Sequence, residues 1–274
     1  MSEFLHIMTL PLLACLILTG IHAYLGFHVI ERQVIFVDLA LAQIAALGAA
    51  SALLFGANFD SSLSYWLSLG FTFIGAFILS ITRFRRQVIP QEAIIGIVYV
   101  VSAALLLMIV SLSGEGDEHI RHVLLGNILL VDSKDILKIF LIYTMIGLFH
   151  FFFRKPFFLI SKNPTEAFQK GLNVRFWDFL FYISFGLVVT SSVRLAGVLL
   201  VFSYLVIPSA SAMMFTDNLR IRLVIGWIVG IVASVLGMLL SYYFNFPTGA
   251  SVICILGLLF ALSLLQKIVI EKIS

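Results

Sequence analysis

Residues 36–50 read FVDLALAQIAALGAA, and two of them bring oxygen donors into an otherwise apolar run: the carboxylate of Asp38 and the amide of Gln43. A carboxylate is a hard ligand, suited to Mn²⁺ and acceptable to Zn²⁺ or Fe²⁺. The competing reading is structural: Asp38 lies close to a helix end and could snorkel to water or pair with Arg32. On an ideal helix the five-residue interval puts Gln43 about 140° around the axis from Asp38, so the two share no face. A single π-bulge would absorb one residue and bring Gln43 beside Asp38. Ala42, Ala45, Ala46 and Ala49 continue the Asp38 stripe, where small side chains favour close helix packing over pore lining.

A second group of donors lies in DEHIRH, where His119 and His122 stand beside Asp117 and Glu118. Imidazole and carboxylate in one short connection suit transient metal contact, and a solvated polar loop is the alternative. Nothing there specifies a closed tetrahedral shell. His22 and His28 fall in or near the first apolar run, where a hydrogen-bonded packing role is favoured over facing the pathway, and His150 lies among phenylalanines as an interfacial or packing residue. The sequence shows no HExxH motif, no acid/base constellation and no Walker-type glycine loop, so no catalytic residue is assigned. No cofactor is expected to be held permanently, and nothing calls for nucleic acid.

The elements that must position these groups are set by composition. The 274 residues are 61% hydrophobic and only 11% charged. A water-soluble protein of this size would need more charge for its surface alone, so the expectation is an all-α, polytopic integral membrane protein in the lipid bilayer. Runs long enough to span cover 5–30, 34–56, 63–82, 89–113, 136–153, 176–193, 195–215, 223–244 and 249–269, about nine in all. The pair 176–193 and 195–215, joined by TSSVRL, is the one that would reduce the count to eight. The segment 123–133 is too short to span and reads as re-entrant. MSEFLHIM has no basic stretch before the first run, which is therefore taken as a span and not a cleaved signal. If RFRRQ (83–87) is cytoplasmic and the spans alternate, only Arg121, Lys134, Lys138 and Arg194 of the 17 basic residues fall outside. This orients the N-terminus out and the C-terminus in. Cys15 and Cys254 lie in apolar runs and read as small buried hydrophobes. Pro208 is expected to kink its span, with Ser209 and Ser211 satisfying freed carbonyls or lining a path. NFPTGA (245–250) reads as a tight outer turn.

The longest inner connection contains KNPTEAFQKGLNV, written as a short helix with both ends specified. Asn163 suits the N-cap and Pro164 the first helical position. Glu166 is placed to reach back as in a capping box, and Gly171 suits the left-handed residue that ends the helix. Lys170 lies near the C-terminal end, where a cation is favoured. The helix is either a capped interfacial linker or a docking element. Many spans without an energy-converting domain point to a partner that hydrolyses ATP.

GFHVIERQVIFVDLALAQIAALG (26–48), QEAIIGIVYVVSAALLLMIVS (91–111), LLGNILLVDSKDI (124–136) with NPTEAFQKGLNV (163–174), and RLAGVLLVFSYLVIPSASAMM (194–214) with FPTGASVICILGLLFAL (246–262) occur in this order. The ordered set resembles the membrane permease subunits of zinc/manganese-type metal-ion ABC importers over nearly the whole chain, 1–274, as a single permease domain. The resemblance implies a homodimer in the inner membrane, a docked dimer of ABC ATPases, an extracytoplasmic metal-binding protein and a divalent metal ion as substrate. It implies that Asn163, Pro164, Glu166, Ala167 and Gly171 belong to a coupling helix received by the ATPase. It also implies a His one turn after Asp38, where this chain has Ala42. A metal-chelate permease of the same family and an ion-coupled secondary carrier remain the alternatives.

Overall fold

The computed structural model describes residues 2–58, 61–83, 89–111, 126 and 128–273, with side chains from residue 7 to 272. The described residues are helical or in turns, with no strand among them. In chain order the α-helices are α1 (Ser2–Glu31), α2 (Val37–Ser51), α3 (Ser62–Ile81), α4 (Gln91–Val110), α5 (Ser133–Phe152), α6 (Arg154–Lys162), α7 (Pro164–Gln169), α8 (Val174–Met213), α9 (Leu219–Phe244) and α10 (Thr248–Ile273). Short 3₁₀ turns cover Ala52–Phe55 and Ile128–Leu130. Eight helical segments among the described residues are long and apolar enough to cross a membrane. Much of their surface is apolar and exposed. Ile97, Val100, Leu107 and Met108 on α4 are all more than half exposed, and little of α10 is buried. Such faces suit lipid, because each helix satisfies its own backbone polar groups. The protein is a multi-pass membrane protein.

The chain divides into two compact units. One comprises residues 1–30, 124–144 and 195–274. Its helices approach closely wherever a glycine removes a side chain. A Cβ on Gly26 would lie 1.8 Å from the Leu205 carbonyl oxygen, and one on Gly237 2.6 Å from the Val252 Cα. Buried hydroxyls and ring nitrogens then bond locally. Thr19 Oγ1 donates to the Cys15 carbonyl, His22 Nδ1 lies 2.8 Å from the Leu18 carbonyl, and Tyr204 meets Ser234 at 2.6 Å. His22 also meets the Tyr143 ring edge-on, and His28 packs against Tyr24 and Phe27, all packing contacts.

Several expectations are corrected here. The runs 176–193 and 195–215 are two helices that meet within α8, and the break between them falls at Gly197 (φ 76, ψ 159) and not within TSSVRL. Gly126 (φ 58) explains the break. A Cβ there would stand 2.2 Å from the Gly197 amide nitrogen, so the two backbones pass in direct contact where only glycine fits. Dihedrals remain helical at Pro208. Ser209 donates neither to a freed carbonyl nor into a path, but to the Ala23 carbonyl of α1 at 2.9 Å, while the buried Ser211 hydroxyl has no partner among the described residues. At 245–247 the left-handed turn residue is Asn245 (φ 53), and Gly249 lies inside α10. Cys15 is buried as expected, but Cys254 is exposed.

The second unit comprises residues 31–123 and 145–194. Its central element is α2, which packs against α3 and α4 and is buried on nearly every side. Alanine makes this possible: Ala46 and Ala50 form a core with Leu106 and Val110 of α4. Gly48 lets α2 approach the Leu67 carbonyl of α3, and Gly75 of α3 receives Ile44. The alanine stripe is therefore a packing surface. His150 is also a packing residue, stacked on Phe157 at 4.4 Å with Nε2 2.8 Å from Ser184 Oγ.

Candidate functional site

Asp38 is the second residue of α2 and only 2% exposed. One of its carboxylate oxygens, Oδ1, has no hydrogen-bond partner among the described residues. Arg32, the cation that could have neutralised it, is committed elsewhere, to Asp178 and Ser161. An isolated carboxylate buried in a span is unfavourable by roughly 2.5–3.5 kcal/mol on insertion scales, and such groups ordinarily face a cavity or a partner.

The helix around Asp38 is regular. α2 is continuous α-helix from 37 to 51 with no π turn. The bulge that would have moved Gln43 beside Asp38 is absent, and Ala42 occupies the position one turn on. Gln43 lies on the least buried edge of the helix, one turn after Leu39. Its Oε1 is buried and also lacks a hydrogen-bond partner.

A residue that sequence reasoning missed stands at the same end of the unit. Glu92, in the first turn of α4, accepts the Phe36 backbone N–H at 3.0 Å through Oε1. Phe36 is the N-cap of α2 and offers no side-chain cap, so Glu92 supplies one from the neighbouring helix. Its Oε2 is buried and unpartnered. Glu92 thus holds the backbone two residues before Asp38, which puts a second acid at the start of α2. Two carboxylates with spare oxygens and no cation among the described residues form an acceptor-only arrangement, which a metal ion would satisfy. The hint in the sequence was a Glu opening an apolar helix; it is indistinguishable there from an ordinary first-turn acid. Among the described residues no three His, Cys, Asp or Glu side chains converge. A donor set this small suits passage better than permanent binding. His119 and His122 lie outside the described residues.

At the same end lies a buried ion cluster. Asp178, in the first turns of α8, pairs with Arg32 through Oδ1 and with Arg83 through Oδ2, the latter at 3.3 Å. Arg32 Nε donates to Ser161 Oγ of α6 at 2.8 Å, and its guanidinium lies 4.0 Å from the Phe181 ring centre. Burial pulls the Arg32 guanidinium below its ordinary pKa, with Asp178 opposing. For Arg83 burial acts the same way and is the largest single influence, but Asp178 and Tyr182 together outweigh it and hold the value above the ordinary one.

The 163–171 element forms as its sequence specifies. Asn163 Oδ1 accepts the Glu166 N–H at 3.1 Å, with Pro164 at the first helical position. Glu166 reaches back to the Asn163 side-chain amide at 3.3 Å rather than to the backbone, because the Asn163 N–H already donates to the Leu159 carbonyl. Gly171 takes φ 75, and the Gly171 and Leu172 N–H groups donate to the Phe168 and Ala167 carbonyls, a Schellman ending. Lys170 and Glu166 pair at 2.6 Å on the surface. Ala167 is fully buried against Ile160 and Val174, while Thr165, Gln169 and Lys170 stay exposed. The result is a rigid knob with a polar outer face.

The chain is similar to a manganese transport system membrane protein of Listeria innocua, 28% identical over 74% of this chain and 75% of that protein. It is 30% identical to a probable iron transport system membrane protein of Haemophilus influenzae, over 65% of this chain and 62% of the other. The manganese import system permease protein ScaB of Streptococcus gordonii is 24% identical over 94% of this chain and 90% of its own. Among solved structures, PsaBC from Streptococcus pneumoniae in complex with Fab shares the fold with a TM-score of 0.78 at 23% identity, covering 96% of this chain and 94% of that one. The pattern of the ABC 3 transport family matches residues 5–267. With nearly its whole length matched, the chain belongs to the ABC 3 transport family and is a metal-ion-type ABC permease subunit, not itself catalytic.

Proposed function

We propose that this chain is the permease of an ATP-driven importer moving a divalent metal ion inward by alternating access. The whole chain acts as one permease domain, two copies form the pathway, and a dimer of ABC ATPases receives residues 163–171. A binding protein delivers the ion on the outer side, where His119 and His122 offer transient contacts. α8 supplies two crossings: its 40 residues extend about 60 Å, twice the ~30 Å of a hydrocarbon core. Nine crossings then put the N-terminus outside and the C-terminus inside.

The observation that carries this reading is the buried Asp38 carboxylate, which has no cation among the described residues. We assign Asp38 as the principal ion ligand, Glu92 as its second carboxylate and Gln43 as a flanking oxygen donor. An oxygen-only set favours a hard ion such as Mn²⁺ over Zn²⁺. Relatives described as manganese and iron transport proteins agree with that preference. Co-purification of the chain with its ATPase, followed by ATP-dependent Mn²⁺ uptake in liposomes, tests the proposal. Transport by the chain alone, with no ATPase ever bound, would show an ion-coupled secondary carrier instead.

A further inference from the structure

The ion cluster of Arg32, Arg83 and Asp178 joins two places that the proposed mechanism needs joined. On one side is the capped knob. Ala167 packs on Ile160 and Val174, together with Trp177 and Leu159. Ile160 precedes Ser161, and Val174 lies one turn before Asp178. A displacement of the knob therefore carries Ser161 and Asp178 with it as one packed body. Both of those residues bind the Arg32 side chain, Ser161 at Nε and Asp178 at Nη1.

On the other side is the start of α2. Arg32 opens the turn that ends α1, and Gln33 within that turn takes a left-handed conformation (φ 56). For a residue with a side chain this conformation is uncommon, so the turn is held by its surroundings. Three residues later Phe36 is held by Glu92, and Asp38 follows. Arg32 is thus clamped through its guanidinium to the two helices that pack on the knob, and leads through its backbone directly into the turn before Asp38.

We propose that Arg32 and Asp178 are positioning residues that transmit movement of residues 163–171 to the Asp38 turn, and that their pairing sets how tightly ATP hydrolysis is coupled to ion movement. This rests on the reading that residues 163–171 receive an ATPase. A purely structural ion cluster would hold the unit together without affecting that ratio. The buried fork of Arg32 suits the linking role, since its planar donors fix both partners in orientation.

The test uses the complete complex of permease, ATPase and binding protein in liposomes, with Mn²⁺ as probe and both ATP hydrolysed and Mn²⁺ taken up recorded. For Asp178→Asn the expected result is an assembled complex that still hydrolyses ATP but whose Mn²⁺ uptake per ATP falls on the order of tenfold. Ser161→Ala removes one clamp without stranding a charge, and is expected to lower the same ratio by a smaller factor of about two to five. If Asp178→Asn fails to assemble, the ratio in Ser161→Ala decides. An unchanged ratio in the assembled variants overturns the inference even if both rates decline together. A wild-type chain that binds no ATPase refutes the underlying reading, and is recognised before any variant is made.

Discussion

Asp38 and Asp178 are both buried, belong to the same compact unit, and lie near the start of long helices. Their surroundings differ in kind. Asp178 is held by two guanidinium groups, one of them itself anchored by a serine and an aromatic ring. Among the described residues Asp38 has no cation and one oxygen without a hydrogen-bond partner, and a second acid, Glu92, holds the backbone two residues before it. Within one unit the fold shows what a structural buried acid requires, and Asp38 lacks it. Low dielectric makes an unpaired charge costly, so the difference sets a residue kept for stability apart from the one we propose as the ligand of a passing cation.

The comparison is broken most sharply at Asp178. Its replacement by Ala strands two arginines, and breaking a buried pair of this type costs about 3–5 kcal/mol. Thermal unfolding of the purified complex in detergent should show a large loss; a variant as stable as wild type would remove the structural half of the contrast. At Asp38 the expected effects are reversed. Asp38→Ala should leave unfolding within about 1 kcal/mol of wild type, because no ion pair among the described residues is lost, only local bonds to the backbone N–H groups at the start of α2. Uptake should fall at least about 10–100-fold, as expected when a ligating group is removed. Glu92→Gln sharpens the contrast between the two ends of one side chain. The Phe36 N–H keeps an acceptor, so stability should hold, while Mn²⁺ uptake declines on the order of tenfold. Smallest is Asn163→Ala, which removes the cap of α7 and should weaken the knob by about 1 kcal/mol, read as reduced ATPase co-purification at limiting concentration.

The local features were legible in the sequence and the distant ones were not. Asn163, Pro164 and Gly171 announce the short helix because each satisfies a backbone need within a few residues, and the structure meets all three. The apolar spans were legible for the same reason, since length and hydropathy are properties of the run itself. The Arg32–Asp178 pair crosses 146 positions, and no periodicity could pair those charges. Without that pairing, Arg32 was equally available to Asp38, six residues on. Glu92 was missed because an acid in a first turn is ordinary until its neighbour across the helix pair is known. The break in α8 was misplaced because it falls where the Ala196–Gly197 backbone meets Gly126, again a contact between distant segments.

The central claim is that Asp38 touches the transported ion. The direct measurement is ATP-dependent uptake of Mn²⁺, Zn²⁺ and Fe²⁺ by the assembled complex, wild type against Asp38→Ala, with assembly and unfolding checked in the same preparations. The expected result is uptake reduced at least about 10–100-fold in a complex that assembles and unfolds like wild type. Undiminished uptake of all three ions would contradict the claim and leave Asp38 a structural residue.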